Sequence, residues 1–522
     1  RVDVPLSRVP AVVRHAVLAA EDRDFYSHRG VSPSGVGRAA WDAVRLQDQR
    51  GHGTITEQLI HLDGGTDTRG VARRWREMVQ SVKGDRRYAK DYILERYLNA
   101  VYFGRGAYGI ATAAEAYFGV PVDKLGAEQG ALLAALIHSP ADHDPVKHRP
   151  EAEARWRYVL NGMAQVGWLD EKAARDARFP AVARRDASNW TAGVNGTVAS
   201  AVERQLSAAG VSREMLEIRG LRVITTLDPK AQAAATAAME EGLGGSPRSV
   251  EGALVAVQPG SGEIRAYYGG DAGYQTRDLA RLPHPAGGTM HAFVLADAVR
   301  AGISPDAVWD GSSPLAVAGR AAPIQNEGGV SCAKCTLEQS LAKSLDTPYW
   351  ALAQKLGPAH VAELTSGLGI RLTKNSVPVS ATSEIALGTD EVTPVAQAGA
   401  FAAFANGGTF AAPHLVSKII GADGSVAYAT PVTSHRVVDG PVAATMTGVL
   451  TRTAGGPGPA AGLAAGANSG AWMVGYTPKL AVSVWMGKAG AAAPSPGKSG
   501  KAVNGTAAAA MWRNFLDHAD GR

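Results

Sequence analysis

Cysteine is nearly missing from this chain. Its 522 residues hold two, Cys332 and Cys335, in the run CAKC. That excludes a four-cysteine zinc site and a disulfide-knotted scaffold. It leaves a disulfide-stapled loop, two free thiols, or a redox or metal-binding pair. The lead-in NEGGVS is not the strand that a thioredoxin-like motif needs. A disulfide would imply an oxidising, extracytoplasmic setting.

Long apolar runs are missing too. Nothing approaches the roughly 18 residues that cross a bilayer. GALLAALI (130–137) has the length of a buried helix segment. Charge of one sign is scarce: 53 basic against 48 acidic residues leave a net +5. So weak a field suits an anionic surface or substrate. With no basic stripe carrying interleaved aromatics, it does not argue for nucleic acid. No repeat recurs at a period of about 20–50 residues. Because the chain starts at Arg1, a signal segment or membrane anchor upstream is expected.

What is present is an ordinary globular composition, 45% hydrophobic and 19% charged, with length for about three domains. The first 165 or so residues read as helical. DYILERYLNAVYFG places Ile93, Leu94, Tyr97, Leu98, Val101 and Tyr102 on one helical face. From Trp168 to about Val211 the chain is polar and Ala-rich, in the manner of a connector. From Leu221 short β-rich runs appear: LRVITTLD, GALVAVQP and GEIRAYYGG. AWMVGYTP and LAVSVWMG read as an antiparallel pair, and AAAAMWRNFLDHA as a closing helix. In HPAGGTMHAF, Gly287 and Gly288 make a tight turn that feeds a helix. Such a turn is a good place to display a nucleophile, yet it offers only glycine.

Carboxylates mark the first module. EDRDFYSHRG sets Glu21, Phe25 and His28 on one helical face by the i, i+4, i+7 rule. An aromatic and a histidine beside a carboxylate suit a general base; a solvated acidic helix end is the plainer alternative. RRWRE puts Glu77 beside Arg73, Arg74 and Arg76, and guanidinium clusters bind phosphate. GHGTITEQ (51–58) reads as a polar loop between the two.

Taken together, EDRDFYSHRG, GTITEQ, RRWRE, KDYILERYLNAVYFGRGAYGI and AAEAYFG resemble the peptidoglycan glycosyltransferase family, the first catalytic domain of class A penicillin-binding proteins, over about residues 5–165. The resemblance implies that Glu21 is the general base on the 4-hydroxyl of the acceptor, lipid II. The donor is the growing glycan strand on its lipid pyrophosphate. Glu77 would be the second carboxylate, at the leaving-group side with Arg73 and Arg74 and a divalent cation, Mg or Mn. Asp22, Phe25, His28, Thr54, Gln58, Lys83 and Asn99 fall at substrate-side positions. The motif Gly-x-Ser-Thr-Ile-Thr-Gln-Gln is altered: Gly53 replaces its Ser, Glu57 its first Gln, and His61 stands at a usual Lys. An added carboxylate and a lost cation are expected to weaken the hold on pyrophosphate.

TTLDPKAQAAA, GALVAVQPGSGEIRAYYGG, EIALGTDEVTPVAQAGAFAAFANGGTF and AWMVGYTPKLAVSVWMG resemble the transpeptidase domain of the same proteins over about 220–517. That chemistry rests on Ser-x-x-Lys, Ser-x-Asn and Lys-Thr/Ser-Gly. Here Gly288 stands at the Ser and His291 at the Lys. Ser344 is kept, with Asp346 for Asn, and Ala464, Ala465 and Gly466 lie where the third motif belongs. KSG (498–500) matches that motif by letters but follows the strand pair. Thr289 is rotated about 100° from residue 288 on a helix.

The expectation is a mostly α, lysozyme-like glycosyltransferase domain (1–168), a connector (169–245), and an α/β (α+β) serine-β-lactamase/transpeptidase-like domain with an antiparallel sheet (246–522). The chain would polymerise lipid II on the extracytoplasmic face of a bacterial membrane, with lipid II, the glycan strand, the membrane surface and other cell-wall synthesis proteins as partners, while the second domain stays catalytically silent. A cell-wall scaffold inactive in both domains, and a bifunctional synthase using Thr289 or the 498–500 run, are the alternatives.

Overall fold

The computed structural model describes the chain apart from residues 1, 31–52, 64–80, 184–191, 213–214, 217–220, 245–248, 375–376, 379, 422–424, 455–459, 468–469, 489–504 and 520–522. Two compact units emerge. One holds residues 1–186 with 210–223 and 419–428, the other 187–209 with 224–418 and 429–522. Among the described residues no helix is long and apolar enough to cross a membrane.

The first unit is helical. Helix α1 (Ala11–Glu21) buries Val13, Ala16 and Val17, the i, i+3, i+4 stripe of an amphipathic helix. It packs on the helices Ala127–His138 and Arg149–Gln165. Gly130 lets the first of these approach closely, since a Cβ there would stand 3.1 Å from Val13 Cα. Trp156, Tyr97 and Phe103 lie fully buried in this core.

Two expectations change here. GTITEQ is not a loop: Thr54 starts helix α2 (Ile55–Asp63). Helix α3 (Lys90–Ala100) stops short of Val101 and Tyr102. Val101 turns extended and Tyr102 pairs with Tyr108 as an isolated β-bridge, because the Gly104-Arg105-Gly106 turn draws the backbone away.

The second unit is built on an antiparallel sheet. Its strands are β1 (Glu251–Val257), β2 (Ile264–Tyr268), β3 (Ala461–Ala467), β4 (Gly470–Tyr476) and β5 (Ala481–Gly487), in spatial order β3-β4-β5-β1-β2. Trp472 faces Trp485 across the β4–β5 ladder, and AWMVGYTP and LAVSVWMG are indeed its paired strands. Both sheet faces are covered, so nearly every strand residue is buried. Leu254 and Ala256 point towards the helices Pro229–Gly244 and Gly505–Ala519. Val255 and Val257 point into the larger core with Met290–Arg300 and Pro394–Ala405.

Candidate functional site

In the first unit, Glu21 is the last residue of α1, and the helix ends at once on Asp22. Phe25 and His28 therefore do not share a helical face with Glu21; they lie in the turns that follow. His28 Nε2 pairs with Asp22, 2.9 and 3.0 Å from its two carboxylate oxygens. Asp22 Oδ2 also accepts the Ile55 N–H at 3.0 Å, which ties the start of α2 to the end of α1. Phe25 is fully buried, with Lys90 Nζ 4.5 Å above its ring and ion-paired to Asp85 at 2.6 Å. Asp22 thus joins the turn that carries His28 to the start of α2.

Glu21 is held from the front. Gln58, on the first turn of α2, donates from Nε2 to Glu21 Oε2 at 3.0 Å and to the Gly53 carbonyl at 3.1 Å. Its Oε1 accepts from the Tyr97 hydroxyl at 2.6 Å. Burial, with Glu21 and Asp22 nearby, pushes the Tyr97 phenol well above its ordinary range, so it remains a donor. The amide of Gln58 is thereby fixed in orientation, with its NH2 on the carboxylate.

The altered motif has a structural account. Thr54 N–H donates to Glu57 Oε2 at 2.7 Å and Glu57 N–H to Thr54 Oγ1 at 3.2 Å, a reciprocal capping box. A Cβ on Gly53 would lie 2.6 Å from that Glu57 oxygen. Gly53 and Glu57 are thus a matched pair: one vacates the space that the other fills. Burial pushes the Glu57 pKa up, against the lowering effect of the Thr54 bond. The expected charge aimed at pyrophosphate is a folded-back helix cap.

Asn99 is buried near the end of α3. Its Oδ1 accepts from Val4 N–H at 2.9 Å and its Nδ2 donates to Val4 O at 2.8 Å, clamping the N-terminal segment. Lys83 is exposed on the helical run 81–87. Arg73, Arg74 and Glu77 lie outside the described residues, as does the His61 side chain. Among the described residues no cluster of three acidic, His or Cys side chains could hold a metal ion.

In the second unit the stretches carrying Gly288, Ser344 and Ala464–Gly466 converge. Gly287–Thr289 form a single 3-10 turn leading into the helix Met290–Arg300. A Cβ on Gly288 would lie 2.4 Å from Ser344 Oγ, 3.4 Å from Ala465 Cβ and 3.5 Å from His291 Nδ1. His291 is fully buried, stacked on Tyr349 at 4.4 Å, with Nε2 3.2 Å from Asp346 Oδ1. Ala464–Gly466 lie on β3, the edge strand beside this turn. Thr289 is fully buried, donates to Ala286 O at 2.7 Å and accepts from Gln397 Nε2 at 2.7 Å, so both capacities of its hydroxyl are taken. The 498–500 run lies outside the described residues.

Cys332 and Cys335 are joined by a disulfide, Cα atoms 5.7 Å apart, so of the three options the stapled loop holds. They sit on the strand Cys332–Thr336, whose last residue caps the helix Leu337–Ala342 in a Thr336–Gln339 capping box. That helix leads directly to Ser344 and Asp346. Gln58 is among the residues the motif resemblance singles out, but a loop reading of TITEQ hides its helical reach to Glu21, and the Tyr97 bond that orients it carries no motif signal.

The Transglycosylase family model matches residues 1–164, and the penicillin binding protein transpeptidase domain matches residues 252–513. Penicillin-binding protein 1A of Mycobacterium tuberculosis is 36% identical over 557 residues, covering 99% of this chain and 67% of that protein. Its counterpart in Mycolicibacterium smegmatis is 36% identical over 563 residues, covering 99% and 70%. Among solved structures, PonA1 from M. tuberculosis aligns with a TM-score of 0.57 at 30% identity, covering 63% of this chain and 92% of that one. Penicillin-binding protein 1A from Haemophilus influenzae aligns with a TM-score of 0.68 over 99% of this chain and 88% of that one; at 17% identity the likeness is one of fold.

Proposed function

This chain belongs to the class A penicillin-binding proteins, with a glycosyltransferase and a transpeptidase domain, and from that premise we propose that it polymerises lipid II through Glu21 while its transpeptidase domain runs no Ser-x-x-Lys acylation. The observation that carries the first half is the Gln58 amide, which Tyr97 locks with its NH2 on the Glu21 carboxylate. An amide donor on one oxygen limits the freedom of the carboxylate to rotate, which suits positioned proton abstraction.

The reaction is an inverting hexosyl transfer. Glu21 takes the proton of the lipid II 4-hydroxyl, and that oxygen attacks the anomeric carbon at the end of the growing strand. The bond from that carbon to the lipid pyrophosphate breaks, and the pyrophosphate leaves with its charge. Cations at the leaving side lower the barrier to that departure; Arg73, Arg74 and exposed Lys83 are the cations proposed, with Glu77 beside them. A divalent cation, if bound there, would neutralise pyrophosphate charge. Asp22, His28 and Thr54 act by holding the ends of α1 and α2 in register. The lipid-linked substrate puts the reaction at the outer face of a bacterial membrane, and the Cys332–Cys335 disulfide suits that oxidising side.

The second half rests on Gly288. With no side chain there, no acyl-enzyme forms at the usual position, and Ala464 and Ala465 supply no cation for a peptide carboxylate. Against the scaffold alternative, Gly53 and Glu57 fit each other as a helix cap, while His61 at a usual Lys speaks for it. The test is polymerisation of purified lipid II by the full chain, with and without moenomycin, the inhibitor expected at this family's donor site. Moenomycin-sensitive strands support the reading; their absence supports the scaffold.

A further inference from the structure

The transpeptidase unit lacks a serine at 288 and keeps one at 344. Ser344 Oγ stands 2.4 Å from where the Cβ of residue 288 would be. A hydroxyl from the second motif therefore occupies the space of the missing nucleophile. His291 Nδ1 faces the same point from 3.5 Å. On its other side, His291 Nε2 is 3.2 Å from Asp346 Oδ1. Read singly, Gly for Ser, His for Lys and Asp for Asn are losses. Read together, they bring a serine, an imidazole and a carboxylate to one place.

Two further observations point to chemistry at this spot. His291 is completely buried, and among the described residues neither ring nitrogen has a hydrogen-bond partner of good geometry. Leaving such a group unsatisfied costs stability, which a purely structural site would avoid. The Tyr349 stack, with rings 10° from parallel, fixes the imidazole plane. Ser344 also has φ +50°, a backbone region that non-glycine residues seldom enter and that concentrates at functional sites.

We propose that Ser344, His291 and Asp346 form an acyl-transfer centre in the transpeptidase unit, which hydrolyses small uncharged esters. Asp346 Oδ1 lies 3.2 Å from His291 Nε2 and takes up its N–H as the ring realigns on substrate binding, which leaves the Nδ1 lone pair as the base. Ser344 Oγ bonds to the ester carbonyl carbon as its proton passes to Nδ1. The carbon–oxygen bond to the alcohol breaks, and the alcohol leaves with that proton. Water then attacks the acyl-serine, gives a proton to Nδ1, and releases the acid as Ser344 recovers its hydroxyl. Ester and water become acid and alcohol. The Ala465 methyl lies 3.4 Å from the Cβ position of residue 288, and the third-motif stretch Ala464–Gly466 offers no cation. That stretch thus offers no anchor to an anionic peptide end or a β-lactam carboxylate, which favours an uncharged acyl group. Catalytic hydrogen bonds of this kind are often long before substrate binds.

The test is a fluorophosphonate probe on the full chain, in which Ser344 Oγ displaces fluoride from phosphorus. The expected result is one adduct, mapped by peptide mass spectrometry to Ser344 and absent in Ser344→Ala. His291→Gln, which keeps bulk and polarity, slows labelling on the order of a hundredfold or more. Asp346 acts through His291 as a positioning residue, so Asp346→Asn slows labelling and Asp346→Glu restores part of it. Thermal melting and lipid II polymerisation of each variant report that the chain is folded. No adduct, an adduct at another residue, or a Ser344 adduct whose rate His291→Gln leaves unchanged would overturn the proposal. None of these results bears on Glu21, which is read by polymerisation alone.

Discussion

The Glu57 carboxylate accepts the Thr54 N–H at 2.7 Å in the space that any side chain on residue 53 would need. Restoring a serine with Gly53→Ser therefore pushes the Glu57 carboxylate off its bond. Loss of a cap of this kind costs about 0.5–2 kcal/mol. The expected outcome is a lower melting temperature for the glycosyltransferase unit and weaker polymerisation, since α2 carries Gln58. The double variant Gly53→Ser, Glu57→Ala, with the carboxylate gone, loses little beyond Glu57→Ala alone. Additive losses in the melting series would show that the two positions are independent.

His284 supplies a pH dependence in the second unit. Burial against Trp485, ring to ring at 3.5 Å, lowers its pKa from 6.5 to about 4. The unfolded chain thus binds a proton between those values that the folded chain refuses. Stability is full above about pH 6.5 and falls as the pH drops towards about 4. The whole effect is ~3 kcal/mol by linkage. Denaturant melts of the wild type and His284→Phe between pH 7 and 4 measure it. The variant keeps an aromatic ring on Trp485 and should lose that part of the slope; an identical slope would assign it elsewhere.

Much of this was legible in the residues. The helical first module, the β4–β5 pair and the last helix follow from periodicities of 3.6 and 2 that burial on one or both faces enforces. Motif resemblance draws attention to Glu21 and to the stretch around Gly288, though not to what surrounds them. What periodicity does not carry is where a helix starts or stops. The i, i+4, i+7 spacing of Glu21, Phe25 and His28 implies one face, yet the helix ends at Asp22, which pairs with His28 six residues on and with the Ile55 N–H 33 residues on. Likewise TITE reads as polar loop until Thr54 and Glu57 are seen as partners. Nor does spacing reveal that Ser344 reaches the gap at Gly288, because a turn with positive φ places it there.

The disulfide predicts that the non-reduced chain shows no free thiol by mass spectrometry and gains two on reduction. Its closed loop is short, so reduction should cost about 2 kcal/mol or less in the transpeptidase unit. Two free thiols before reduction would contradict the geometry.

Fluorescent penicillin should leave no covalent adduct on the wild type, even at long incubation. Loss of a serine nucleophile typically costs on the order of a million-fold in turnover. Gly288→Ser alone should not restore labelling, because the new side chain meets Ser344 Oγ and finds His291 where a lysine belongs. Gly288→Ser with His291→Lys is the variant in which slow acylation is expected. Labelling of the wild type by penicillin would contradict the silent-transpeptidase reading.

The measurement that bears most directly on the account is lipid II polymerisation by the wild type beside Glu21→Gln. The substitution keeps the shape of the side chain and its place beside Gln58 while removing the base. The account predicts glycan strands from the wild type and none from Glu21→Gln, with both chains melting at closely similar temperatures. Near-normal polymerisation by Glu21→Gln, or no strands from the wild type, would contradict it.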